Sequence, residues 1–329
     1  MSKLRAAITG VAHYVPETLL TNHDLEKFLD TSDEWILSRS GIKQRHILKD
    51  PTKATAFLAV EAGKKLLQKT NTKPEDIELL ILTTATPDHQ FPATANIVAY
   101  ELGLKNAWSF DLMAACSGFL YTLFTASRFI ESGTHKKVMV IGSEKMSSII
   151  DYTDRKTAIL FGDGAGAVLL EPDSTGNGII DAKLYSDGYG KQFLNQPAGG
   201  SLVPASEETV KHKQHFVHMD GPAVFKHAVI CMADVSEEIM KRNNLSASDV
   251  QWFTPHQANK RIIISSAERM GLPMDKVMLN IDRYGNTTTA SIPICFSEWE
   301  SKLKKGDNVV LSSFGAGFTW GGMYLKWAY

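Results

Sequence analysis

The sequence predicts an α/β protein made of two similar halves, and three observations carry that expectation. Apolar runs closed by Gly or Pro alternate with segments of helical period. Landmarks of the first half recur in the second at a nearly constant separation. A stretch of linker composition, Glu171-Pro172-Asp173-Ser174-Thr175-Gly176-Asn177-Gly178, lies between them.

In the first half, residues 77–84 read as a buried strand before Pro87, residues 96–102 as a short helix before Gly103, and residues 108–112 as a strand. Residues 117–130 then read as a long helix stopped by Gly133, and residues 137–142 as another buried strand. The second half repeats this order: strand 250–254, helix 262–270 before Gly271, a helical stretch from Asn286 to about residue 303, and strand 309–312. Asp76 and Asp249, Gly103 and Gly271, Cys116 and Asn286, and Val138 and Val309 are four matched pairs, each separated by roughly 170 residues. A shift that uniform points to an internal duplication with a period of half the chain, not to a solenoid. The halves are placed at 1–172 and 173–329. Residues 186–217 have no counterpart and read as an insertion or surface loop.

The 329 residues, 43% hydrophobic and 22% charged, suffice for a large core and exclude a disordered chain. No apolar run attains the length of roughly 18 residues that a membrane span requires. A net charge of -1 gives no global footprint for nucleic acid. Three scattered cysteines without a CxxC pair argue against disulfides and structural zinc. The first ten residues read as a first strand, not a secretory signal. A soluble, reduced, cytoplasmic protein is expected.

Cys116 follows a strand and Ala114-Ala115, and precedes Ser117-Gly118 and the long helix. At a helix N-terminus the macrodipole and free N–H groups would lower its pKa and favour a nucleophilic thiolate. A buried structural cysteine is the alternative, and it is the reading that suits Cys231 and Cys295. His256 ends the first strand of the second half, and Asn286 holds the place there that Cys116 holds in the first. Two halves packed about a pseudo-two-fold axis would bring these three together, where sites form at strand carboxyl ends. A satisfied loop histidine and a capping asparagine are the alternatives. Phe161-Gly162-Asp163-Gly164-Ala165-Gly166 and Ser313-Phe314-Gly315-Ala316-Gly317-Phe318 do not open helices, so dinucleotide binding is disfavoured. An N–H of the second segment suits an oxyanion instead. His212, His215 and His218 at every third residue would not share a strand face, so no metal site is expected.

These motifs resemble the thiolase-like condensing enzymes, most closely the β-ketoacyl-acyl-carrier-protein synthase III family. Thr31-Ser32-Asp33-Glu34-Trp35-Ile36 with Arg39, Gly41-Ile42 and Arg45-His46 is similar to that family's N-terminal signature. Ala114-Ala115-Cys116-Ser117-Gly118-Phe119, His256-Gln257-Ala258-Asn259, Gly285-Asn286-Thr287 and Phe314-Gly315-Ala316-Gly317-Phe318-Thr319-Trp320-Gly321 are similar to its catalytic blocks, in order. The resemblance implies a five-layered α-β-α-β-α fold and a homodimer. It also implies a Cys116-His256-Asn286 triad, with the N–H groups of Cys116 and Ala316 as the oxyanion hole.

Trp35, Arg39, Arg155, Phe225, Asn259 and Arg261 match positions that line the coenzyme A and phosphopantetheine tunnel. Phe91 matches an aromatic residue that reaches into the partner's acyl pocket. Lys156 departs from the commoner Gly, and Ala316 stands where a third Gly is common. No second catalytic Cys of the thiolase kind stands near the last glycine loop, and the matched triad contains no Glu of the hydroxymethylglutaryl-CoA synthase kind. Chalcone-type synthases are less similar around Trp35 and Trp320. The implied reaction is decarboxylative condensation of an acyl-CoA primer with malonyl-acyl-carrier-protein through acyl-Cys116, initiating fatty acid synthesis. Coenzyme A is a substrate there and no cofactor is needed; Lys226, Lys260 and Arg261 are candidates for docking the acidic carrier. A same-scaffold enzyme of specialised metabolism and a non-catalytic partner subunit are the alternatives.

Overall fold

The computed structural model describes residues 4–329. The first sheet contains β1 (Arg5–Tyr14), β2 (Leu79–Thr83), β3 (Trp108–Leu112), β4 (Val138–Glu144) and β5 (Gly164–Asp173), in the order β1-β5-β4-β2-β3. The second contains β6 (Gly178–Ser186), β7 (Trp252–Pro255), β8 (Asn308–Gly315) and β9 (Thr319–Lys326), in the order β7-β8-β9-β6. In each sheet two neighbouring strands run parallel (β2 with β4, β7 with β8), and the last strand pairs antiparallel with the first of its half. A lone parallel bridge from Phe253 to Val277 stands where β3 stands in the first sheet. The order of elements is therefore duplicated.

Side-chain alternation along the strands sorts the core into layers. Leu79, Ile81, Val138 and Val140 face inward with Val309, Leu311, Met323 and Leu325 of the other sheet. Between them lie α4 (Gly118–Glu131), through Phe119, Leu123 and Ile130, and α7 (Ser291–Trp299), through Ile292, Cys295 and Phe296. The alternate residues Leu80, Leu82, Met139 and Ile141 face outward onto α2 (Thr55–Thr70) and α3 (Thr94–Glu101). Val310 and Tyr324 likewise meet α5 (Gly221–Arg242) and α6 (Lys260–Arg269). The result is five layers, α-β-α-β-α, as the resemblance implies. One more helix, α1 (Asp33–Ser40), lies beside α6, capped at its start by the Ser32 hydroxyl accepting from the Trp35 N–H.

Most boundaries follow the sequence signals. Gly103, Gly133 and Gly271 take left-handed φ values of +70°, +77° and +68° just past helix ends. Three expectations need correction. The helical stretch expected from Asn286 starts as a 3-10 turn at Thr288–Ala290, and the α-helix begins only at Ser291. Glu171, Pro172 and Asp173 of the supposed linker are the end of β5, so only four residues separate it from β6. Residues 186–217 are more than surface loop: they hold a 3-10 turn (Gly188–Gln192) and a short helix (Glu207–Lys211), and they wall an internal cavity described below.

The central layer reveals the duplication at residue level. Ala115 and Thr288, one in each half, share nearly the same left-handed backbone (φ +47° and +46°), which is strained for any residue with a Cβ. Each opens a 3-10 turn that runs into a central helix, α4 or α7. The positional counterpart of Cys116 is thus Thr289, not Asn286 as the sequence spacing suggested. Asn286 sits three residues earlier, opposite Met113. Strand register makes Gly142 of β4 the counterpart of Ser313 in β8. Contacts agree: Ser313 Oγ donates to the Cys116 carbonyl at 2.9 Å, while a Cβ on Gly142 would run into the Thr289 carbonyl.

That last contact makes Gly142 an obligatory glycine. Gly142→Ala drives a methyl into backbone, and the expected loss of stability is about 1–3 kcal/mol, read from the denaturant midpoint against the parent. An unchanged midpoint would mean that the 3-10 turn at Thr288 yields freely.

Candidate active site

Cys116 lies in the three-residue turn Ala115–Ser117, and its backbone is clamped by the second sheet. Ser313 holds its carbonyl, Ser117 Oγ donates to the Thr319 carbonyl at 2.9 Å, and Thr319 Oγ1 donates to the Ala114 carbonyl at 2.8 Å. A Cβ on Gly315 would stand 2.7 Å from the Cys116 nitrogen, so the absence of a side chain there permits the approach.

His256 continues from β7, its N–H donating to the Ser312 carbonyl at 2.8 Å. The ring is buried, and neither Nδ1 nor Nε2 has a hydrogen-bond partner among the described residues. Asn286 is held by its backbone, donating to the Leu160 carbonyl at 2.8 Å and accepting from the Gly162 N–H at 3.0 Å. Its Oδ1 accepts from the Thr288 N–H at 2.9 Å, leaving the amide Nδ2 without a partner among the described residues. Cys116, His256 and Asn286 line one cavity of about 170 Å³ with Phe225, Phe314 and Gly315. The structure thus brings the three residues together.

Two larger spaces adjoin this neck. An inner cavity of about 540 Å³ shares Cys116, Phe161 and Leu194 with it and extends past Thr84, Ala85 and Thr288. An outer cavity of about 890 Å³ shares Met219, Phe225 and Asn259 with it and is rimmed by Trp35, Arg39, Lys156 and Arg261. Five of the six residues expected in the tunnel line this outer cavity. Arg155 does not: its guanidinium lies 5.1 Å from the Trp35 ring and donates to the Asp30 carbonyl at 2.7 Å, while the neighbouring Lys156 lines the space. Asn259 joins α1 to α6, its amide donating to the Arg39 carbonyl and its Oδ1 accepting from the Arg261 N–H. Arg261 stacks at 4.8 Å over Phe225.

Electrostatics overturn one expectation. The thiol of Cys116 is not lowered by its helix; burial, and then repulsion from Glu144, push it up to about 12. Cys116 sits within the 3-10 turn ahead of α4, half-buried, and its loss of solvation outweighs the dipole. Burial likewise drives His256 down to about 3, so the imidazole rests neutral. A neutral thiol beside a neutral base can pass its proton only as a substrate is attacked. Ala316 lines the inner cavity next to Cys116, and its N–H has no acceptor among the described residues.

Other expected residues lie further out. Phe91 is 86% exposed beside Gln90 and His89, which line the inner cavity. Lys226, Lys260 and Arg261 are exposed without an ion pair among the described residues, and the Lys260 stem packs on Gly41. His212, His215 and His218 do not converge: His212 meets Glu208, His215 lies against Phe216, and His218 joins a short ribbon with Asn195. Among the described residues no group of three or more His, Cys, Asp or Glu could hold a metal. Sequence reasoning missed Glu144, the Thr84–Ala85 wall, and Phe161, Leu194 and Met219 of the cavity lining. Only Glu144 left a signal, as a carboxylate ending an otherwise apolar buried strand.

Comparison with known proteins adds an independent line. The family model described as 3-oxoacyl-[acyl-carrier-protein (ACP)] synthase III matches residues 110–188, and the model for its C-terminal part matches residues 240–327. The chain is 60% identical over 328 residues to a β-ketoacyl-[acyl-carrier-protein] synthase III of Chlorobium chlorochromatii, covering 98% of this chain and 100% of that one. It is 54% identical over 329 residues to one of Porphyromonas gingivalis, covering 100% and 98%. The crystal structure of a 3-oxoacyl-[acyl-carrier-protein] synthase III from Aquifex aeolicus superposes with a TM-score of 0.90 at 41% identity, over 98% of this chain and 100% of that one.

The resting state of the pair can be read by alkylation. Iodoacetamide reacts with thiolate, so modification of Cys116, followed by peptide mass, should climb roughly tenfold per pH unit from about pH 6 to 9, with no inflection from His256. A plateau below about pH 8 would mean a stabilised thiolate and would contradict the neutral pair.

Proposed function

The chain belongs to the β-ketoacyl-[acyl-carrier-protein] synthase III family, whose condensation initiates fatty acid synthesis, and on that premise we propose how its residues divide the work. The carrying observation is a buried His256 with both ring nitrogens unpartnered among the described residues, lining one cavity with Cys116 and Asn286. In the first stage Cys116 attacks the thioester carbon of a short-chain acyl-CoA, its proton passing to His256. The N–H groups of Cys116 and Ala316 hold the tetrahedral oxyanion, and coenzyme A leaves as the thiol by taking that proton back from His256, which returns to neutral. In the second stage malonyl-acyl-carrier-protein enters and its thioester oxygen accepts from His256 Nε2–H and Asn286 Nδ2. Carbon dioxide departs as the enolate forms, and the enolate carbon attacks the acyl group and expels Cys116 as a thiolate, which takes up a proton from solvent to restore the thiol. Neutral donors suit this step, because they stabilise the developing charge without a standing positive charge.

Coenzyme A takes part as substrate and product, and the reaction as written calls for no cofactor. Arg39, Lys156 and Arg261 supply cations for its phosphates, with Arg155 bracing Trp35 from behind. Lys226, Lys260 and Arg261 form the rim on which the acidic carrier rests. The working unit is a homodimer in the cytoplasm. Exposed Phe91, Tyr100 and Met113, with β3 unpaired on one edge among the described residues, support the dimer, and Phe91 is the residue that crosses into the partner's acyl pocket. No helix among the described residues is long and apolar enough to cross a membrane. Residues 1–172 carry the nucleophile and residues 173–329 the two enolate donors.

Intact mass after incubation with a panel of acyl-CoAs tests the first stage. An acyl adduct on the parent, absent from Cys116→Ala, is the expected result; no adduct from any acyl-CoA sinks this reading. The division of labour is tested by Asn286→Ala, which should keep the adduct while condensation with malonyl-acyl-carrier-protein falls about 10²–10³-fold. Equal loss of both stages would remove Asn286 from the enolate step.

A further inference from the structure

Glu144 is fully buried at the end of β4, and nothing in the two-stage reaction uses it. Its carboxylate is surrounded by donors: Thr84 Oγ1 at 3.2 Å, the Ala85 N–H at 3.0 Å, Thr86 Oγ1 at 2.7 Å and Thr289 Oγ1 at 2.8 Å. Thr84 and Ala85 form one wall of the inner cavity. Thr289 lies three residues beyond Asn286 and also donates to the Thr83 carbonyl at 3.1 Å. One side chain therefore fastens the cavity wall to the turn that follows Asn286 and donates to its Oδ1.

The duplication explains why a carboxylate stands there. Register pairs Leu79 with Val138 and Trp252 with Val309, so Thr83 matches His256 and Glu144 matches Gly315. Around Cys116 the matching set is His256 and Gly315, and the missing side chain of Gly315 leaves the neck open. Around Thr289 the set is Thr83 and Glu144, and the Glu144 side chain fills the equivalent space. We propose that Glu144 is a positioning residue for acyl transfer, closing the silent twin of the Cys116 site and holding the acyl-cavity wall in register with the Asn286 turn. This rests on the reaction proposed above.

The test compares two rates at Cys116 in Glu144→Gln and Thr289→Val: acylation by acetyl-CoA, which needs an oriented thioester, and alkylation by iodoacetamide, which does not. Misplacement of about 1 Å in an oriented reaction is worth on the order of 10²-fold, so acylation should fall at least about tenfold in both variants, while alkylation holds within about threefold in Thr289→Val and does not fall in Glu144→Gln, which loses the repulsion on the thiol. Glu144→Gln keeps the shape but brings an amide N–H against four donors. Thr289→Val removes the hydroxyl and leaves the other donors in place, and it decides alone if the first variant does not fold. Acylation within about twofold of the parent in both variants, or a parallel fall of both rates, overturns the proposal. A parent that takes no acyl group overturns the reaction itself, and a parent acylated normally beside unaffected variants overturns Glu144 alone.

Discussion

Desolvation at the junction of the two sheets is the constraint on which the site depends. The two 3-10 turns and the ends of β4 and β8 meet there, and the residues that fill the space are almost all buried. Desolvation keeps both the Cys116 thiol and the His256 imidazole neutral, reversing what a helix start alone would do. It also makes each unpartnered polar atom expensive, so His256, whose two nitrogens have no partner among the described residues, is a site held ready for a ligand. In such surroundings a hydrogen bond offered to a developing charge gains far more than it would in water.

That junction is built from a duplicated plan that has been made unequal. Each half contributes a left-handed residue, a 3-10 turn and a buried helix, and each turn is pressed by a strand of the opposite sheet. Where the second sheet supplies Gly315, a cavity remains; where the first supplies Glu144, it is occupied. Strain at Ala115 and Thr288 is tolerated because the packing around them leaves no alternative backbone. The asymmetry thus lies in a few side chains on a nearly symmetric frame.

Fold and site were legible in the sequence to different depths. Alternating apolar runs and a near-constant separation located the strands, the central helices and the two-half plan, because buried parallel strands and helix stops are local signals. The same separation misaligned Cys116 with Asn286, since so small an offset cannot be resolved without knowing where the 3-10 turns begin. Cys116 stood out at a strand-to-helix junction, His256 at a strand end and Asn286 by the half-chain separation, and the blocks around all three carry the family resemblance. Phe161, Leu194 and Met219 were not, because lining a cavity depends on packing between segments far apart in the chain. The pKa of Cys116 went the wrong way for the same reason: the helix start is visible locally, while Glu144 and the dry surroundings are assembled by the fold.

The narrow neck also constrains timing. The space beside Cys116 is only about 170 Å³, and the outer cavity that adjoins it is one continuous space. Two thioesters that share this passage must take turns, and the departing thiol of the first stands in the way of the second. On the reaction proposed above, turnover would follow alternating, ping-pong order, with free coenzyme A competing with the carrier-bound substrate. Cellular coenzyme A would thereby slow chain initiation by occupying the route itself, with no separate regulatory site.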